Sequence, residues 1–235
     1  FIQHKSIHEE YNVGNFEKEA LEKLNQLFKK QDTVIMVGGS GLYIDAICKG
    51  LNHFPDISKK TREKVREEYE KNGLEWLQIE VNKKDPEYYQ IVDKKNTHRL
   101  LRCLEVCRES NNTFTSFRKH NTTKRNFETH YLGLQISRDK LYQKINTRVN
   151  IMMDSGLLKE AKNLLQYQKL NALQTVGYRE LFDHLNGHQN LERAVELIKQ
   201  NTRRFAKRQI TWLKKYKEAH WFNNEDELIY SICKE

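Results

Sequence analysis

Along residues 15–30, NFEKEALEKLNQLFKK, the apolar side chains return at helical spacing. Phe16, Ala20, Leu21, Leu24, Leu27 and Phe28 fall on one face, which predicts an amphipathic helix with Asn15 as its N-cap. At 33–37 the period changes. TVIMV is apolar almost throughout, the pattern of a short parallel strand buried on both faces. Two glycines, a serine and a third glycine follow, and LYIDAI then opens a second helix. Helix, strand, glycine turn and helix in that order predict an α/β fragment.

Near Pro55 the pattern becomes helical and highly charged, and it stays so to about Phe127. Ser58 is placed to cap the first of these helices and Gly73 to end it. DPEYYQIV starts another helix, and NTHRLLRCLEVCRES a third that Thr97 could cap. ETHYLGLQIS (128–137) returns to a strand, and Ser137 is expected to cap a helix that puts Leu141, Ile145, Val149 and Met152 on one face before Gly156 ends it. Helices are expected at 157–168, about 178–186 and 190–219, then a short HWF strand and a last helix. The organisation predicted is an α/β core in two parts, 1–54 and 128–235, interrupted by an all-helical insertion, 55–127.

Composition narrows the class. The 235 residues hold 41 Lys+Arg against 32 Asp+Glu, a formal charge of +9, which favours a polyanionic partner. Only 37% of residues are hydrophobic, and no apolar run is long enough to span a bilayer or to form a signal peptide, so a cytoplasmic protein with no membrane partner is expected. Cys48, Cys103, Cys107 and Cys233 are scattered. No second Cys/His pair sits at zinc-ligand spacing, so reduced thiols and no metal centre are expected.

Candidate chemistry lies in four places. Around the helix at 190–219, Leu191, Ala194, Val195, Ile198, Phe205, Trp212, Leu213 and Tyr216 form an apolar stripe. Lys199, Arg203, Arg204, Lys207, Arg208, Lys214 and Lys215 lie on the other side with almost no carboxylate among them, which leaves either a solubilising face or contacts to nucleic-acid phosphates. In KKNTHRLLRCLEV, His98, Arg99 and Arg102 occupy the first turns of a helix, where anions are favoured. These cations could equally pair with Glu105 or Glu109. Arg148 and Arg179 adjoin core positions and could be snorkelling side chains or ligands. The turn GGSG after a strand could cradle a phosphate, but the lysine of G-x-x-x-x-G-K-[ST] is absent, so Gly38 and Gly39 report only a close approach or a sharp turn.

Several motifs together resemble one family. VGGSGLYIDAICKGL, NTHRLLRCLEV, RVNIMMDSGLLKEA, TVGYRELFDHLNG and TRRFAKRQITWL occur in the order seen in tRNA dimethylallyltransferases, also called tRNA isopentenyltransferases. The resemblance implies transfer of a dimethylallyl group from dimethylallyl diphosphate to N6 of adenosine 37, next to the anticodon, with Mg²⁺ assisting. It implies a parallel-sheet core like that of P-loop NTPases with an inserted all-helical domain that grips the anticodon stem-loop, and a monomer is expected. Residue by residue, Ser40 stands where the family has a threonine and would touch the tRNA. Arg62, the segment His98, Arg99, Leu100, Leu101 and Arg102, and the segment Arg203, Arg204, Phe205, Ala206, Lys207 and Arg208 match tRNA-binding positions. Arg148 matches an arginine that holds the prenyl diphosphate. The family's P-loop and its general-base aspartate have no counterpart in these residues, so the core is expected to be incomplete at its N-terminus and the chain inactive alone. A non-catalytic RNA-binding module and a nucleotide-kinase relative are the competing readings.

Overall fold

The computed structural model describes residues 1–118, 124–224, 226–227 and 229. In chain order the elements are α1 (Val13–Leu27), α2 (Gly41–Lys49), α3 (Lys59–Lys84), α4 (Pro86–Ile91), α5 (Thr97–Ser110), α6 (Phe114–Phe117), β1 (Leu132–Leu134), α7 (Arg138–Asp154), α8 (Leu157–Leu164), α9 (Tyr178–Leu185), α10 (Leu191–Leu213) and β2 (His220–Phe222). The helix expected after β2 lies largely outside the described residues. The chain divides into two compact units, one of Phe1–Cys48 with Asn126–Glu235 and the other of Lys49–Arg125.

In the first unit, α7, α8, α9 and α10 enclose a core of Val149, Ala161, Leu181, Phe182, Ala194 and Ile198. β1 and β2 pair in parallel, Gly133 opposite Trp221. Among the described residues these are the only paired strands, so this unit is mostly helical with a small parallel sheet.

The strand expected at 33–37 is not formed. Residues 33–37 carry no regular structure, and Ile35, Met36 and Val37 are 61%, 41% and 92% exposed. An apolar run becomes a strand only when a neighbour supplies the hydrogen-bond ladder, and among the described residues the only strand pairing is β1 with β2. Asn12, not Asn15, caps α1, its side chain accepting from the amide of Asn15.

Among the described residues, all the regular structure of the second unit is helical. Val65, Leu77 and Val81 of α3 meet Leu100, Cys103, Leu104, Val106 and Cys107 of α5, with Tyr88, Val92 and Phe114 closing the core. Ser58 caps α3 by accepting from the amide of Thr61 at 3.3 Å. Gly73 has φ +76° and kinks α3, so the helix that begins at Ser58 breaks where its glycine stands and resumes at once. Asn96, rather than Thr97, caps α5 and accepts from the amide of Arg99.

Candidate nucleic-acid interface

In the first unit the glycine turn abuts α10. The side-chain amide of Gln209 donates to the carbonyl oxygen of Gly39 at 2.9 Å. A Cβ on Gly39 would lie 2.0 Å from that nitrogen and 3.9 Å from the Phe205 ring, and one on Gly41 would lie 2.5 Å from the Trp212 indole. A Cβ on Gly38 would meet nothing within 4 Å. The close approach expected of Gly38 and Gly39 therefore falls at Gly39, and at Gly41, which the sequence reasoning missed. Ser40 is exposed at the start of α2, its carbonyl accepting from the amides of Tyr43 and Ile44.

Asp45 fastens α2 to the end of α10. The indole N–H of Trp212 donates to its Oδ2 at 2.9 Å, and the hydroxyl of Tyr216 donates to its other oxygen. Tyr131 stacks on Tyr216 with centroids 4.1 Å apart. Burial, and then the carboxylate beside it, raise the pKa of the Tyr216 phenol, which stays a protonated donor.

The cations of α10 differ in their surroundings. Arg203 donates to Asn146 Oδ1 of α7 at 2.7 Å and lies 5.6 Å over the Tyr142 ring, so it joins two helices. Arg204 donates to Asn201 one turn back. Lys207 is exposed, Ala206 half-buried. Arg208 lies 5.3 Å from the centroid of Phe205, which is 38% exposed, whereas Ala194, Ile198 and Tyr216 of the expected apolar stripe are buried and Leu191, Val195, Trp212 and Leu213 half-buried. On α7, exposed Arg148 lines an open groove of about 410 Å³ with Lys140, Lys144, Gln143, Thr147 and Ile151.

In the helical unit, His98 and Arg99 are exposed on the first turn of α5. Arg102 is half-buried, 3.8 Å from Glu105 and 5.9 Å over the Phe54 ring. Burial pushes the Glu105 carboxyl above the usual carboxylate range, against the pull of Arg102, Arg62 and Arg66. Burial also lowers the pKa of the Arg102 guanidinium. Leu100 is fully buried, and Leu101 packs half-buried against the same core. The side chain of Leu100 therefore serves the core; helical periodicity turns it inward while His98 and Arg99 face out.

A mostly helical protein with exposed cationic helices, a built turn beside α10 and an aromatic ring left at the surface has the features of a protein that binds a polyanion. Residues 1–216 match the family described as IPP transferase, and the chain belongs to that family. It is 47% identical over 226 residues to the tRNA dimethylallyltransferase of Christiangramia forsetii, across 96% of this chain and 75% of the relative. It is 48% identical over 241 residues to that of Flavobacterium johnsoniae, across 99% and 78%. Among solved structures it is similar to the tRNA isopentenylpyrophosphate transferase of Bacillus halodurans, with TM-score 0.65 and 28% identity over 98% of this chain and 74% of the other. A eukaryotic dimethylallyltransferase acting on tRNA has the same fold, with TM-score 0.74 and 23% identity over 94% of this chain and 58% of the other.

Proposed function

We propose that the protein transfers a dimethylallyl group from dimethylallyl diphosphate to N6 of adenosine 37 in tRNA and releases diphosphate. Besides family membership, one observation carries the reading: the turn bearing Ser40 and the α10 segment bearing Phe205, Lys207 and Arg208 meet through Gly39 and Gln209, which are 170 positions apart in the chain. Both segments match tRNA-binding positions of the family.

In the reaction the N6 nitrogen forms a bond to the allylic carbon, the carbon–oxygen bond breaks, and its electron pair leaves with the diphosphate. The amine then gives up a proton. Arg148, with Lys140 and Lys144 in the same groove, would neutralise the charge that grows on the leaving diphosphate. That groove has no carboxylate among its lining residues, so it fits the anion and not Mg²⁺, which prefers carboxylate oxygens. Lys207, Arg204 and Arg208 in one unit, and His98, Arg99, Arg102 and Arg62 in the other, would position the anticodon stem-loop through its phosphates. Among the described residues no helix is long and apolar enough to cross a membrane. A cytoplasmic monomer is part of the same proposal.

The test is to incubate the full-length protein with tRNA and labelled dimethylallyl diphosphate and to analyse the nucleosides by mass spectrometry. Prenylated adenosine at position 37 is expected. Tight tRNA binding with no prenyl transfer would overturn the enzymatic reading in favour of an RNA-binding module.

A further inference from the structure

In the helical unit, Cys103 and Cys107 lie one turn apart on the face of α5 that enters the core, 0% and 2% exposed. Asp85, between α3 and α4, is 1% exposed and reaches the same spot. One ligand atom from each of the three lies within 4.8 Å of the other two. Apolar side chains surround them, among them Val81, Val92 and Phe114.

A carboxylate this deep needs its charge met. Asp85 accepts from the amide of Tyr88 at 2.9 Å, the amide of Thr115 at 2.7 Å and the hydroxyl of Thr115 at 3.0 Å. Of the roughly four lone-pair directions of a carboxylate, three are taken and one is left. Such hydrogen bonds orient a carboxylate as the outer shell of a metal site does.

We propose that Asp85, Cys103 and Cys107 form a buried site for one d¹⁰ divalent cation of the zinc class. Two sulfurs and one oxygen select such an ion over Mg²⁺ or Ca²⁺. Zinc–sulfur bonds of about 2.3 Å and zinc–oxygen bonds of about 2.0–2.2 Å put tetrahedral donors about 3.5–3.8 Å apart. The three donors need close by no more than about 1.0–1.3 Å, within reach of small side-chain rotations. Both thiols lose their protons on binding, so two protons leave for each ion taken up. A water would complete the coordination. The ion would tie α5 to the α3–α4 junction and, through Thr115, to α6. The sequence spacing supplied only one cysteine pair; the third donor comes from the junction, which no local motif announces.

The test uses the full chain with Cys48 and Cys233 replaced by alanine, stripped with a chelator and titrated with Cd²⁺ alone. A thiolate-to-cadmium absorption band saturating at one ion per chain is expected, with a melting temperature raised by several degrees. Cys103→Ala and Cys107→Ala should each abolish the band, and Asp85→Asn should weaken binding at least tenfold. No band in the folded background protein, or an undiminished band in both cysteine variants, overturns the site. Should a variant unfold, alkylation of Cys103 and Cys107 in the background protein decides: Zn²⁺ should slow it at least tenfold, and equal rates with and without Zn²⁺ overturn the proposal.

Discussion

Gln209 holds Gly39 from below: its side-chain amide donates to the Gly39 carbonyl at 2.9 Å, and the same nitrogen occupies the space where a Cβ on Gly39 would go. The turn thus stays free of side chains so that α10 can approach. At Gly41 the neighbour is the rigid indole of Trp212, 2.5 Å from the position of a Cβ. A flexible amide can swing away, and an indole packed against Asp45 and Tyr216 cannot. Gly39→Ala should cost about 1 kcal/mol, roughly one hydrogen bond. Gly41→Ala should cost more, about 2–3 kcal/mol, as overpacking does. Urea denaturation of the two variants checks the order, and equal losses would contradict it.

The same end of α10 depends on Asp45, which accepts from both Trp212 and Tyr216. Asp45→Ala removes the acceptor of the half-buried Trp212 indole N–H and one hydrogen bond of the Tyr216 phenol, and should cost about 2–3 kcal/mol. Asp45→Asn keeps one carbonyl acceptor and should lose about half as much. Denaturant midpoints of the three proteins measure the series.

The helical unit offers a pH prediction. Burial raises the Glu105 carboxyl above its ordinary value of 4.5. A carboxyl raised by folding keeps its proton longer in the folded chain than in the unfolded one. It imposes no cost below 4.5, and stability is lost as pH rises from 4.5 through the raised value. Glu105→Gln removes this titration. The difference in melting temperature between Glu105→Gln and the parent should therefore grow in the variant's favour across that window and level off above it. A difference that stays flat with pH would reject the assignment.

What the sequence disclosed was mainly local. The Ser58 cap, the break at Gly73 and the strand HWF each rest on a few adjacent residues and stand in the structure. The 33–37 segment misled because an apolar run does not say whether a second strand lies beside it. Among the candidate site residues, the exposure of His98, Arg99 and Lys207 follows from helical spacing, as does the burial of Leu100. The ties that build the site were not legible: Asp45 with Trp212 spans 167 positions, and Arg203 with Asn146 spans 57. Periodicity along one helix cannot report a partner on another. It also placed Phe205 on the apolar stripe with Ile198, although the ring stands partly in solvent beside Arg208.

The surroundings of Arg203 and Lys207 separate two roles for cations on α10. Lys207 is exposed, whereas Arg203 is spent on Asn146 and Tyr142. Lys207→Ala should weaken tRNA binding and reduce the slope of log affinity against log salt by roughly 0.7–0.9, one phosphate contact, with stability unchanged. Arg203→Ala should lower stability by about 1 kcal/mol through the lost cross-helix bond, and change the salt slope less. Filter binding across a salt series, alongside thermal melts, reads both.

Phe205 gives the sharpest contrast with these cations. A large ring left 38% exposed next to the glycine turn, with a guanidinium 5.3 Å from its centroid, is of little use to the core and is suited to stack with an unpaired base of the anticodon loop. Stacking on an aromatic side chain contributes about 1–3 kcal/mol per base and releases no counterions. Phe205→Ala should therefore weaken binding of an anticodon stem-loop by roughly tenfold or more while leaving the salt slope of the parent intact. Phe205→Tyr or Phe205→Trp should restore most of the affinity. The same salt-series measurement decides: a slope that falls with Phe205→Ala would mean that the substitution displaces Arg208 from a phosphate, and unchanged affinity would mean that the ring does not meet the RNA.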